Sequence, residues 1–207
     1  MKTKDSLKEI ERKAYRSTFE DGIYDIQFGL VFLILAWIPT LEIVGISRFV
    51  GYALLIISPI LIPWLGKRYI TIPRMGSVEF GPKRKSRRRL LLAIGAVVII
   101  MTLPLLIMII GKGVPGRLGW PLIAVFAAPA LVVAASLLDF PRLYLYATLL
   151  FAAVVESEAL LGYVGESSTA MISFGVPGVF IFALGLTLLF KFMKKYPKQV
   201  PEVNHAG

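Results

Sequence analysis

Tyr69–Arg89 reads YITIPRMGSVEFGPKRKSRRR, and unbroken apolar sequence flanks it on both sides. Upstream is FVGYALLIISPILIPWLG (49–66), and downstream is LLLAIGAVVIIMTLPLLIMII (90–110). Apolar blocks of this length match a hydrocarbon layer of about 30 Å crossed at about 1.5 Å per residue. The stretch between them is therefore a loop held out of that layer. Its last part, KRKSRRR (83–89), places six cations in seven residues and reads as a stop signal that locks the flanking spans. Tyr69–Ile72 and Ser77–Phe80 alternate apolar and polar residues around Pro73, Arg74, Met75 and Gly76. Proline presets one turn dihedral and glycine admits a positive one, so a small β-hairpin is expected here.

Working outward, four more apolar blocks appear: Gly22–Leu41, Gly119–Leu138, Leu143–Tyr163 and Ala170–Phe190. The first can extend to Ile46 if Glu42 is tolerated near its end. With 57% hydrophobic residues and a mean hydropathy of +0.74, lipid is the solvent for most of the chain. The expected fold is an all-α integral membrane protein, a six-transmembrane-helix bundle. It carries the small cytoplasmic β-hairpin and basic loop between spans two and three.

Lysine and arginine counts orient the bundle. With the N-terminus inside, 20 of the 23 cations fall in inner segments. Arg48, Lys112 and Arg117 fall outside. Both termini are thus expected to be cytoplasmic, in a multi-pass protein of the cell (plasma) membrane. Residues 1–21, MKTKDSLKEIERKAYRSTFED, read as a basic amphipathic helix along the inner headgroups, with Ser6 and Glu9 as a capping box. Residues 22–190 form the membrane domain, including the loop 67–89. Residues 191–207 read as a basic, disordered cytoplasmic tail.

Ionisable groups inside a span are costly, about 2.5–3.5 kcal/mol on insertion scales, so each is a candidate site. Glu156 and Glu158, in VVESEALLGY (154–163), lie in the outer third of span five. They stand about 200° apart around a helix, so one alone can face a cavity. They are the candidate ion or proton site unless span five ends before them. At the inner end Glu20, Asp21 and Asp25 form a candidate carboxylate cluster, with Asp21 and Asp25 four apart on one helical face. Its oxygen donors suit magnesium or calcium, and the competing reading pairs these acids with Arg74 or the loop cations. Lys83, Arg84, Lys85, Arg87, Arg88 and Arg89 are the expected contacts to anionic lipid.

The absence of cysteine excludes disulfides and thiolate chemistry, and the one histidine is His205, in the tail. No serine-hydrolase or zinc-peptidase motif occurs, so no enzyme, cofactor or bound metal is expected. Nucleic acid is not an expected partner. Small residues such as those in AVFAAPALVVAAS (124–136) allow close helix packing, within one chain or in a homo-oligomer. AYRSTFEDGIYDIQFG (14–29), RYITIPRMGSVEFGPKRK (68–85) and FKFMKKYP (190–197) appear in an order that resembles a group of small prokaryotic multi-span membrane proteins. The resemblance covers most of the chain and implies no activity. Two functional readings follow. One is a membrane protein whose basic cytoplasmic collar binds anionic lipid or a protein partner. The other is a small cation or proton carrier or channel working through Glu156 or Glu158.

Overall fold

A computed structural model describes residues 19–75, 86, 89, 90, 93 and 116–197. Among these the regular structure is all helical, in five main helices. Helix α1 is Ile23–Leu41, α2 is Arg48–Met75, α3 is Gly116–Leu138, α4 is Arg142–Val164 and α5 is Glu166–Lys195. Helices suit such a sequence because lipid offers no partner for a backbone N–H or C=O, and a helix satisfies nearly all of them internally. α1, α2, α4 and α5 are each long and apolar enough to cross a membrane, and Val125–Leu138 of α3 is a shorter apolar stretch.

The expected hairpin is corrected in its first half. Tyr69–Ile72 do not form a strand: α2 continues through them as a π turn, Lys67–Thr71, and one further helical turn, Ile72–Met75. Extending a formed helix adds a hydrogen bond per residue without a new nucleation cost, and four alternating residues do not outweigh that. The π turn also brings Lys67 and Thr71 onto a buried carboxylate, a contact that a strand would forfeit. The second half, Ser77–Phe80, lies outside the described residues, as do 1–18 and 198–207. Of the block 90–110, Leu90 and Ala93 are described, both helical. The described residues thus hold four long spans and α3, short of the six expected.

α1 and α2 run in opposite directions, as do α3, α4 and α5 in turn, while α2 and α3 run the same way. Lys67 and Arg142 meet Asp21 and Asp25 at one end, with Lys195 beside Glu20. At the opposite end Arg48 bridges Glu42 and Glu166. α1 is the most enclosed helix, packed between α5 and α2, while α3 packs on α4. Phe32, Ala36, Tyr146, Leu150, Phe174 and Ile181 lie in the core. Phe49, Ile60 and Val176 instead point outward and are more than two-thirds exposed, the inversion expected when the surroundings are hydrocarbon.

Glycines set how closely α1 and α5 approach. A Cβ at Gly29 would stand 2.5 Å from the backbone nitrogen of Phe182, and one at Gly185 2.5 Å from that of Ile26. Backbone lies against backbone, as at small-residue crossings in membranes. This contact holds the acidic end of α1 within reach of α2 and α4.

Candidate functional site

Two polar centres occupy the two ends of the bundle. At the first, the turn Phe19–Gly22 and the first turn of α1 carry Asp21 and Asp25 inward, both at 0% exposure. Asp21 accepts from the Ile23 backbone N–H at 3.2 Å and from the Thr71 hydroxyl at 2.6 Å, and it forms an ion pair with Lys67. Asp25 accepts from the Tyr146 hydroxyl, and its second oxygen lies 3.1 Å from Arg142 Nη1. That second contact is electrostatic, with no aligned hydrogen bond at Asp25 Oδ2. Arg142 Nη2 donates to the Phe19 carbonyl at 2.5 Å.

Aromatic rings close over both cations. Lys67 Nζ sits 5.2 Å from the centre of the Tyr24 ring, and the Arg142 guanidinium 5.0 Å from that of Phe140. The Phe19 and Phe140 rings stack at 4.9 Å. Two carboxylates meet two cations, so the centre is formally neutral. Bringing charges together this way offsets the desolvation that either acid alone would suffer. Glu20, the third expected acid, stands apart with an exposed side chain, 3.9 Å from Lys195. Among the described residues no group of three or more acidic, histidine or cysteine side chains is arranged to hold a metal ion.

The partners of the acids are the expected ones in part. Lys67, the first cation of the loop 67–89, pairs with Asp21, while Thr71, Arg142 and Tyr146 were not foreseen and take the place of Arg74. One sequence signal was available. Arg142 and Tyr146 are four apart, as are Asp21 and Asp25, so both pairs repeat at one helical turn.

At the other end, Arg48 donates two parallel hydrogen bonds to Glu166, at 2.9 and 3.2 Å, and its Nε lies 2.9 Å from Glu42. Behind this bridge is a cleft of about 110 Å³ between the last turns of α4 and the first turns of α5. Glu158, Glu166, Ser157, Thr169 and Phe174 line it, with Pro39 of α1. Glu158 is half-buried there, whereas Glu156 is exposed on another side of α4. The two expected candidates are thus separated, as their angular spacing requires.

Of the expected lipid contacts, Arg89 is helical and exposed, and Lys83, Arg84, Lys85, Arg87 and Arg88 lie outside the described residues. Other cations mark the same end: Arg68, Lys191, Lys194 and Lys195 are exposed there. Glu20, Arg142, Lys191, Lys195 and Tyr196 line a cleft of about 360 Å³ together with Leu188 and Phe192. Comparison with known proteins finds no matching family model, no similar curated protein and no similar solved structure.

Proposed function

We propose that the chain is a multi-pass protein of the cell membrane whose Asp21 end faces the cytoplasm and docks on anionic lipid headgroups. One observation carries this reading. Asp21 and Asp25 are withdrawn into the bundle and neutralised, while Arg68, Lys191, Lys194 and Lys195 remain exposed beside the exposed acid Glu20. An end that buries two of its carboxylates and shows four cations presents a net positive rim, and each such cation contributes about 1 kcal/mol at an anionic surface. The cleft lined in part by Leu188 and Phe192 adds apolar surface to that rim, a combination that accommodates a phosphate together with the start of an acyl chain.

Parity supports the sixth crossing. Met75 closes α2 at the Asp21 end, whereas α3 runs toward Arg142 and so begins at the Arg48 end. An odd number of crossings between them fits this placement, and 90–110 is the apolar block of sufficient length. The excess of cations at the Asp21 end is what supports a cytoplasmic assignment for it and for both termini.

The test is competitive lipid retention by the purified protein. Native mass spectrometry of protein exchanged into mixed phosphatidylglycerol and phosphatidylcholine micelles reads the ratio of bound lipids. Neutralising Lys191, Lys194 and Lys195 together with glutamine is expected to lower that ratio by about 10- to 100-fold. Raised salt should weaken the preference of the wild type as well. A ratio unchanged by the triple substitution would refute lipid docking at this end.

A further inference from the structure

Hydroxyls in apolar helices ordinarily donate to a carbonyl one turn back, and this chain does so repeatedly. Ser136 bonds Val133, Thr148 bonds Tyr144, Ser157 bonds Val154 and Thr187 bonds Ala183, all at 2.8–2.9 Å. Thr169 departs from the pattern. It is 2% exposed and lines the cleft beside Glu158, yet its hydroxyl has no hydrogen-bond partner among the described residues. Ser173, one turn further along α5, and Thr40, next to Pro39, also hold buried hydroxyls without a partner. An unmade hydrogen bond of this kind costs about 1–3 kcal/mol. The Thr169 hydroxyl is the one that lines the small cleft, and it points to an occupant that supplies what the protein does not.

Charge defines that occupant. Glu42 and Glu166 share one cation, Arg48, and Glu158 lines the cleft beside Glu166, leaving these four side chains with two negative charges in excess. Both oxygens of Glu166 are already engaged by Arg48. Glu158 is then the carboxylate placed to close on a ligand. Magnesium and calcium take six or more oxygens, usually with several carboxylates among them, and no such group is present among the described residues. One carboxylate with neutral hydroxyls matches a single positive charge. About 10–15 Å³ is enough for one water, so about 110 Å³ takes an ion and part of its hydration shell. The π turn Met171–Gly175 begins just past Thr169, a helix irregularity that recurs at ligand sites.

We propose that the cleft between α4 and α5 binds one small monovalent cation, an alkali-metal ion or a primary ammonium, through the Glu158 carboxylate and the Thr169 hydroxyl. This site lies at the opposite end from the lipid-docking rim and stands whether or not that docking holds. Glu166, held by Arg48, lines the cleft, and Glu158 beside it has no cation partner among the described residues.

The experiment is thermal unfolding of the purified full-length protein in detergent, at one ionic strength, in sodium, potassium, methylammonium or N-methylglucamine chloride. Against the bulky N-methylglucamine, a bound cation is expected to raise the midpoint by about 2–4 °C. Sodium or potassium acting alone assigns an alkali-metal ion, and methylammonium acting alone assigns an ammonium ligand. Glu158→Gln should abolish the rise, while Glu156→Gln, whose side chain lies off the cleft, should keep it. Thr169→Val provides a check should Glu158→Gln fail to fold. It removes an unpartnered hydroxyl, so the midpoint in N-methylglucamine should increase while the response to the small cation is lost. Equal midpoints in all four chlorides, or a rise that survives Glu158→Gln or Thr169→Val, would overturn the proposal.

Discussion

Lys67 and Asp21 illustrate how much a buried charge depends on its partner. Asp21 is fully enclosed, and Lys67, though partly exposed, supplies its counter-charge. Lys67→Met should therefore destabilise by about 2–4 kcal/mol, because it leaves the carboxylate buried with hydrogen bonds alone. Adding Asp21→Asn should recover most of that loss, since removing both charges also removes the desolvation cost. Chemical unfolding of the two single variants and the double variant checks this, and additive losses would contradict it. At this scale the sequence was half legible. The acids at positions 20, 21 and 25 stand out as charges beside a span. Their partners do not, because Asp25 meets Tyr146 across 121 residues and Asp21 meets Thr71 across 50, and no local pattern encodes such a meeting. The sequence could still have shown that Arg142 is a solitary cation at the mouth of a span, with a tyrosine one turn away.

Whole elements were read more easily than their ends. Five apolar blocks correspond to helices starting within four residues of where hydropathy places them, because lipid imposes helix on any apolar run of that length. The end of α2 was misjudged because alternation over Tyr69–Ile72 carries a strand signal that a continuing helix overrides, and only the contact to Asp21 reveals why the helix continues. The crossing of α1 and α5 was invisible in the sequence, where Gly29 and Gly185 look like ordinary glycines of apolar helices. Gly185→Ala should cost about 1–3 kcal/mol, since its methyl group would meet the backbone of Ile26 rather than a side chain able to turn away. Gly162→Ala, with open space around its Cβ position near the end of α4, should gain up to about 1 kcal/mol from helix propensity. Opposite shifts of the unfolding midpoint are the expected result, and a matching loss in both variants would argue against close α1–α5 packing.

For the molecule as a whole, the lack of native cysteine makes orientation and span number directly testable. A single cysteine at Ile43 or Tyr163, exposed at the Arg48 end, should react with a membrane-impermeant maleimide in intact cells. One at Lys194 should react only after permeabilisation. Ser86→Cys and Lys112→Cys bracket the block 90–110 and should report opposite sides, the former inside. Labelling of both from one side would remove the sixth crossing. Composition alone made the membrane class legible, and the distribution of cations made the orientation legible as an expectation. The cleft at α4 and α5 was legible only as far as Glu158. The unpartnered Thr169 hydroxyl that gives it a chemical character depends on which serines and threonines fail to reach their own helix, and only coordinates show that.

The distance along the chain between Asp25 and Tyr146 also has a consequence in time. Synthesis at about 5–20 residues per second delivers Tyr146, 121 residues behind, on the order of ten seconds after Asp25 has left the ribosome. Through that interval the first helix must enter the bilayer with a carboxylate that has neither its hydroxyl donor nor its guanidinium. Its place in the opening turn keeps that acid at the water's edge while it waits. The same residue some ten positions deeper would have to be inserted bare, and the order of biogenesis would then work against the finished fold.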